Sequence, residues 1–487
     1  MRFAPRVSSS VAESPMIGRI VAIFFLAAAM MVHAGSMSWN VSSRMAAIES
    51  LVNRGTLVID ASPFHTGDKY MYDGHFYSDK PPLLTLAGAG IALVLRAAHV
   101  DIVHQSRIFL VAITLGTVAL SFGIVNVALF VLLVRYGFDR DWALGVATIA
   151  GFATLAFPFA TSMINHVPAA AVLMCALVAL SHSRMHGSIG GTATAGFAFA
   201  AAIGIDTSYV IFFVLAPIVL GRARIGVYLA YAVGALPIFA GLAIANMAFS
   251  GHVQPPDTNA ALFDWPGSLF ANGHIAGTIA HRSLGDFVTY GFGLIFGSHG
   301  LFLYSPILVV GTYALVVALR SRATSSELRS MLIFVAISVP AYVTSAIVGT
   351  IDFGGYSYGT RTFVGVSMLL CIPLGTLGST LRARPTWRSL FLIIVAVSML
   401  FAFGGVINPF PSYAFPLTHA WPDFVLFVKT HQGRGVYLVV ALVAIAAIAL
   451  TTIARALVTF SPTSAGADGG STLYPMPLDA ASARRER

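Results

Sequence analysis

The residues best equipped for chemistry crowd into one stretch, HTGDKYMYDGHFYSDKPPLL at 65–84, whose density of Tyr, His, Asp and Gly is unlike the rest of the chain. A carboxylate near a membrane surface loses solvation, so its pKa rises and it becomes a usable general base. Asp79 is the first candidate base, Asp73 and, just upstream, Asp60 are second-rank ones, and Lys80 stands beside Asp79 to pair with it or to contact a phosphate. Arg107 and Arg361 each precede a long apolar run, and a guanidinium can hold a phosphate through two parallel hydrogen bonds. Asn165, His166 and Asp206 stand at the ends of other apolar runs, placed to line a ligand site. His65, His75, Asp68 and Asp73 are donors a divalent ion would accept, although their spacing matches no metal template. Each has a plainer role open to it: a snorkelling Arg at a span end, an Asp–Lys pair on a loop, a helix-capping Asn or Asp. Two further matches carry little. Asp139-Arg140-Asp141 has D-x-D spacing but lies among the flanking charges of a short loop with Arg135, and Asn40-Val41-Ser42 is a glycosylation sequon of the kind chance supplies.

The elements that must position these residues are membrane spans. Of 487 residues, 57% are hydrophobic and 10% charged, where a soluble domain carries about a quarter charged. A secreted disulfide scaffold, a cytosolic enzyme and a disordered binder are excluded. The two cysteines, Cys175 and Cys371, lie inside apolar runs and read as inert buried thiols. The net charge of +9 comes from Arg in short clusters between apolar runs, so it reads as membrane topology and not as nucleic-acid binding.

Apolar runs occupy 17–37, 108–134, 142–160, 167–182, 192–205, 207–220, 226–248, 301–319, 331–349, 363–381, 389–407 and 435–458. The first reads as an uncleaved signal anchor, although Ala34-Gly35 would suit a cleavage site. The positive-inside rule places Arg135, Arg140, Arg184, Arg222, Arg224, Arg320, Arg322, Arg329, Arg382, Arg384 and Arg388 on one side, leaving Arg282, Arg361, Lys429 and Arg434 on the other. That sorting holds only if 81–97, which opens on Pro81-Pro82 and is short for a ~30 Å core, is half-embedded, and if 192–220 is two short spans turning at Gly204-Ile205-Asp206-Thr207. The expectation is an all-α polytopic membrane protein of about twelve spans. Both termini are cytoplasmic, interfacial helices sit in large outer loops at 38–107 and 249–300, smaller outer regions at 350–362 and 408–434 complete the outer face, and 459–487 is a disordered tail. Most of the 19 acids and all three lysines fall outside, and ionisable residues kept against the topological gradient mark a site. Within the first loop, 42–55 reads as an interfacial helix capped by Ser42 or Ser43 and stopped by Gly55, followed by an extended piece GTLVIDASPF and then a helix starting at the Pro-Pro pair.

YSDKPPLL after an interfacial helix resembles the first periplasmic loop of GT-C-fold glycosyltransferases, bacterial members similar to protein mannosyltransferases and to lipid A aminoarabinose transferase. Their aromatic–acid–Lys–Pro–Pro motif occupies this place, followed by a half-embedded helix and an Arg at the second span, here Arg107. A large loop after the seventh span is matched at 249–300, and GYSYGTR at 355–361 resembles an outer motif of some relatives. One departure is clear. The family usually carries an acid just after the first span, where Asn40-Val41-Ser42-Ser43 stands here.

The resemblance implies transfer of a sugar from a polyprenyl-phosphate donor to a glycan, lipid or protein acceptor at the outer face of a bacterial inner membrane, by in-line attack with inversion. It implies Asp79, Lys80 and Asp73 as catalytic residues, and Arg107, Arg361, Tyr77, His166, Asn165, Asp206 and Tyr358 as substrate-binding ones. Asp79→Asn and Arg107→Ala are then expected to abolish transfer. A divalent metal ion is left open. The alternatives are a multi-span transporter or flippase, which would carry charges at mid-membrane depth in paired spans, and an inactive relative lacking the usual acid.

Overall fold

The computed structural model describes residues 10–32, 37–268, 270, 281, 283–350 and 353–458. The tail at 459–487, Ala34-Gly35 and Arg282 lie outside the described residues. The chain runs α1 (Ser10–Ala29), α2 (Trp39–Arg54), β1 (Lys69–Tyr72), β2 (His75–Ser78), α3 (Pro82–Ala97), α4 (Ser106–Thr114), α5 (Leu120–Arg135), α6 (Arg140–Phe152), α7 (Ala156–Phe159), α8 (His166–His186), α9 (Ile189–Ile205), α10 (Val210–Leu215), α11 (Pro217–Leu220), α12 (Ile225–Ser250), α13 (Leu284–Ile295), α14 (Leu301–Tyr304), α15 (Ile307–Arg320), α16 (Ser326–Gly349), α17 (Val364–Cys371), α18 (Gly378–Ala383), α19 (Pro385–Gly404), α20 (Pro416–Thr430) and α21 (Gln432–Val458). A π turn at Leu115–Ala119 fuses α4 and α5 into one 30-residue helix.

Among the described residues, 7 helices are long and apolar enough to cross a membrane: Ser106–Arg135, His166–His186, Ile225–Ser250, Ser326–Gly349, Arg361–Ala383, Pro385–Gly404 and Gln432–Val458. Shorter apolar helices, Pro15–Ala29, Pro82–Ala97, Ile189–Ile205, Thr207–Leu220, Leu284–Ile295 and Ile307–Arg320, pack among them. The protein is a multi-pass membrane protein. The first run belongs to the bundle: Phe24 of α1 lies against Phe122 and Phe152 with ring centroids 5.6 and 5.1 Å away.

The predicted break inside 192–220 is present. Asp206 ends α9 in extended backbone and its carboxylate accepts from the Ser208 amide of the next turn. α3 begins at the predicted Pro-Pro pair, with Pro81 before its first turn, and its 16 residues are fewer than a span needs. The arginines between the apolar runs also tie neighbouring elements together. Arg135 donates to the Val178 carbonyl, Arg184 to that of Val219, and Arg382 to Ala456 and to Asp139. Asp139 itself accepts from the Trp142 amide as the N-cap of α6, so the D-x-D stretch is a cap and an ion pair.

α9 and α12 approach through glycines, as membrane helices do where small residues let backbones meet. A Cβ on Gly234 would stand 2.0 Å from the Ala193 carbonyl oxygen, and one on Gly196 would stand 1.9 Å from that of Tyr231, whereas one on Gly241 meets nothing within 4 Å. Gly234→Ala is expected to lower the thermal midpoint in detergent, at a cost of about 1–3 kcal/mol from overpacking. Gly241→Ala on the same helix is expected to leave the midpoint unchanged or raise it.

The fold is predominantly helical as expected, and four details differ. Within the first loop KYMY and HFYS pair as an antiparallel hairpin in the register Lys69↔Ser78 to Tyr72↔His75. Asp73 (φ 49) and Gly74 (φ 78) both take positive φ, the requirement of a two-residue hairpin turn for which Asp-Gly is a preferred pair. α2 starts at Trp39 with Ser38 as its cap, not at Ser42 or Ser43, although Gly55 stops it in the left-handed conformation as expected. α2 is also not a helix lying half in lipid: most of its residues are buried because α3 and the hairpin cover it. Cys371 is buried, but Cys175 sits on an exposed face of α8.

Candidate active site

The hairpin turns its two faces to different cavities, as strand alternation requires. Tyr77 faces a cavity of about 420 Å³ together with Tyr70, Asp79, Lys80, Thr207 and Asp257, and Ile203 of α9 and Phe239, Leu242, Ala243 and Phe249 of α12 are among its apolar lining. Phe76 faces a second, polar cavity of about 320 Å³ with Asp60, Ser62, Thr66 and Lys69. Tyr70 and Tyr77 stack at 5.5 Å, and Tyr70 donates to the Phe249 carbonyl, fixing the hairpin to the end of α12.

At the mouth of the larger cavity Lys80 is shared by two acids. Its Nζ lies 2.8 Å from Asp68 Oδ2 and 2.9 Å from Asp79 Oδ2. Ser43 of α2 ties the cluster together: its hydroxyl donates to the Asp68 carbonyl oxygen at 2.6 Å, shares a hydrogen with Ser78 at 2.7 Å and lies 3.4 Å from Asp79 Oδ1. Burial pushes the Asp79 carboxyl up from its ordinary value, reinforced by Asp68 and opposed by Lys80 and Arg44. Burial would lower the Lys80 ammonium, but Asp79 and Asp68 outweigh it and the net shift is upward. Across the cavity Asp257 accepts from the Thr207 hydroxyl at 3.0 Å, and burial raises its pKa too.

Behind Asp79 lies a residue that the sequence reading passed over. Arg44 is fully buried. Its Nη1 donates to Asn40 Oδ1 at 2.7 Å, one helical turn back, while Nε and Nη2 have no hydrogen-bond partner. Burial pulls its guanidinium down to about 10, against the upward pull of Asp79, Asp206 and Asp68, so it stays charged at neutral pH. The i, i+4 spacing of Asn40 and Arg44 was the available signal. Asn40 belongs to the sequon, and its buried side chain is engaged with Arg44.

The third group is built where α8 begins and α9 ends. Asp206 Oδ2 accepts from Asn165 Nδ2 at 2.9 Å and lies 2.8 Å from His166 Nδ1, while its Oδ1 accepts from the Ser208 hydroxyl at 2.6 Å. Ser208 in turn meets the Tyr342 hydroxyl at 2.8 Å. Thus Asn165, His166 and Asp206 do converge, and the fields of Arg44 and Arg361 both act on His166.

Other predicted residues lie elsewhere. Asp73 is exposed at the hairpin tip as a turn residue, and Asp60 pairs with His75 at 2.7 Å. Arg107 is exposed on the first turn of α4 and is not part of the cavity wall, which fits a snorkelling side chain. Arg361 is partly buried with its guanidinium 5.7 Å over the Phe410 ring, and it too is absent from the cavity wall. Neither Arg107 nor Arg361 lines the larger cavity with Asp79. Tyr358 is packed in the core with its hydroxyl donating to the Phe401 carbonyl at 2.7 Å, a structural post and not a ligand contact. His65, His75, Asp68 and Asp73 do not form a metal set: Asp68 holds Lys80, His75 holds Asp60, and Asp73 is at the turn. Among the described residues no group of three or more His, Cys, Asp or Glu is arranged for a metal.

Asp73→Asn should keep the turn, since Asn-Gly is as good a hairpin pair as Asp-Gly. The variant is expected to melt and to turn over like the wild type, with thermal unfolding and a transfer assay as the checks.

No family model and no curated protein sequence matches the chain. Solved structures do. ArnT from Cupriavidus metallidurans, bound to undecaprenyl phosphate, is similar over 92% of this chain and 78% of its own, at 15% identity and a TM-score of 0.50. The archaeal oligosaccharyltransferase AglB from Archaeoglobus fulgidus, in complex with an inhibitory peptide and a dolichol-phosphate, is similar over 88% of this chain and 60% of its own, at 12% identity and a TM-score of 0.52. Both have the GT-C fold. This chain is therefore a multi-pass membrane protein of GT-C fold.

Proposed function

We propose that this chain is a glycosyltransferase that takes a sugar from a polyprenyl-phosphate carrier and passes it, with inversion, to a glycan, lipid or protein acceptor at the outer face of a bacterial inner membrane. We read residues 1–458 as one membrane domain of about twelve spans, with both termini cytoplasmic. The observation that carries the reading is the make-up of the larger cavity. Its lining includes one ammonium, that of Lys80, and apolar residues from α9 and α12, α12 being the least buried of the seven long apolar helices. A lipid phosphate makes those two demands at once. The solved relatives agree in kind, since one carries undecaprenyl phosphate and the other a dolichol-phosphate.

In this reading the acceptor hydroxyl oxygen bonds to the anomeric carbon as the bond from that carbon to the phosphate oxygen breaks. The phosphate leaves with the bonding electrons, Lys80 meets its growing charge, and Asp79 takes the hydroxyl proton. Tyr77 lines the lipid side of the cavity. Asn165, His166 and Asp206 serve the acceptor side, and Arg361 adds positive potential from beyond the cavity wall. Arg107 leaves the site.

A transporter would carry its charges at mid-membrane depth. Here Asp79 lies just before α3, His166 at the first residue of α8 and Asp206 between α9 and the turn that follows, while the buried Arg44 and Glu49 are on α2, which is not one of the seven long apolar helices. The acid-free Asn40-Val41-Ser42-Ser43 where an acid is usual favours one second reading, a relative that binds the carrier without turning it over. Purified protein given a polyprenyl-phosphate sugar and candidate acceptors separates the readings. Release of polyprenyl phosphate that depends on acceptor supports transfer, binding without release supports the inactive relative, and no binding contradicts both.

A further inference from the structure

A cation as deeply buried as Arg44 is costly unless its donors are met, yet its only polar contact among the described residues is the neutral amide of Asn40. The acids whose fields reach it are Asp79, Asp206 and Asp68, with Arg361 opposing. All three acids are engaged elsewhere: Asp79 and Asp68 with Lys80, Asp206 with His166, Asn165 and Ser208. Lys80 stands on the cavity wall, whereas Arg44 does not. An anion entering the cavity must compete for an ammonium that two carboxylates already share. If it wins, a carboxylate loses its partner, and Arg44, which lies within the field of Asp79 and Asp68, has two donors open.

We infer that Arg44 is a reserve counter-ion. When a lipid phosphate takes Lys80, the Asp79 carboxylate turns from that ammonium to the open Nε–H and Nη2–H edge of Arg44. The inference rests on the proposed carrier, since it concerns what happens when a phosphate arrives. Arg44 is then a positioning residue: it touches no substrate, and it keeps Asp79 ionised and aimed once Lys80 is engaged. It also narrows the ligand to one with an anionic head, because a neutral lipid would not displace Lys80 and would gain nothing from Arg44.

The test is binding of undecaprenyl phosphate, compared with the uncharged undecaprenol, by the intact protein in nanodiscs. Arg44→Gln is expected to weaken phosphate binding about ten-fold while leaving undecaprenol binding unchanged, and Arg44→Lys to recover most of the loss. Asn40→Asp is nearly isosteric and puts a carboxylate where an amide now lies 2.7 Å from Nη1, claiming the guanidinium permanently. It is expected to imitate Arg44→Gln while keeping the fold, and it decides the matter if Arg44→Gln does not fold.

The distinguishing step repeats both substitutions in an Asp79→Asn background. There Lys80 has no Asp79 carboxylate to release, so either substitution should cost at most about two-fold. An equal cost in both backgrounds, as from a direct phosphate contact, overturns the inference, and so does no cost in the Asp79 background. If the wild type itself shows no preference for the phosphate over the alcohol, the carrier reading fails, which is a different result from a wild-type preference that Arg44 does not affect.

Discussion

Lys80→Met lowers the rate of transfer roughly 100- to 1,000-fold, the usual cost of removing one group aimed at charge that develops in a transition state. It also weakens binding of the phosphate carrier, because the ammonium is the cation on the cavity wall. A second consequence separates this residue from an ordinary surface lysine. Asp68 and Asp79 both lose their partner, at 2.8 and 2.9 Å in the wild type, and stand close together in a buried place. The variant relieves this by protonating Asp79. Burial and the Asp68 charge already push its carboxyl up, and Lys80 no longer opposes them, so its pKa in the folded protein rises further above that in the unfolded chain. A group with a raised folded-state pKa stabilises below its unfolded value and loses that contribution as pH rises. Lys80→Met is therefore expected to melt lower than the wild type at pH 8 and to recover as pH falls toward 5. A variant whose deficit is the same at both pH values would place Lys80 outside this buried cluster.

Asp79→Asn affects the reaction in a different way. Transfer falls about 100- to 10,000-fold, as expected when a general base is removed, but the carrier still binds, and more tightly if anything, because Lys80 is released from one competitor. The loss is thus in kcat and not in KM. The pH profile adds a check. Burial and Asp68 raise the Asp79 pKa above its ordinary 3.8, and a base works only when ionised, so wild-type activity should fall as pH drops through a point above that value. The same limb should be missing from the residual activity of Asp79→Asn. A variant that keeps both wild-type kcat and the acid limb would assign the base elsewhere, the His166–Asp206 pair being next in line.

Parts of this arrangement were legible because local physics decides them. Pro81-Pro82 ahead of an apolar run suits a helix start, Gly55 stops α2 in a conformation glycine favours, and the Arg clusters demanded a break at Asp206 that the structure contains. The aromatic–Asp–Lys–Pro–Pro stretch pointed to Asp79 and Lys80 directly. The hairpin has its own signal, Asp-Gly between KYMY and HFYS, but the same Asp and His residues read equally well as acids and bases. Arg44 was hidden for a deeper reason. Whether α2 lies in lipid or under a protein cover depends on what packs over it, and an arginine on an interfacial helix looks the same in either case. Arg107 and Tyr358 went the other way. An Arg at the start of a span reads alike as a phosphate ligand or as a snorkelling cation, and only its exposure tells them apart. The hydroxyl of Tyr358 is used by a backbone carbonyl 43 residues away in sequence, a partner that no local pattern identifies.

The central claim is that the larger cavity holds a lipid phosphate by Lys80. An experimental structure of the protein with undecaprenyl phosphate tests it most directly. The account predicts a phosphate oxygen about 3 Å from Lys80 Nζ, the prenyl chain along Phe239, Leu242 and Phe249 of α12, and the Asp79 carboxylate moved onto Arg44. A phosphate bound away from Lys80, or a prenyl chain that leaves the α12 wall empty, would contradict it.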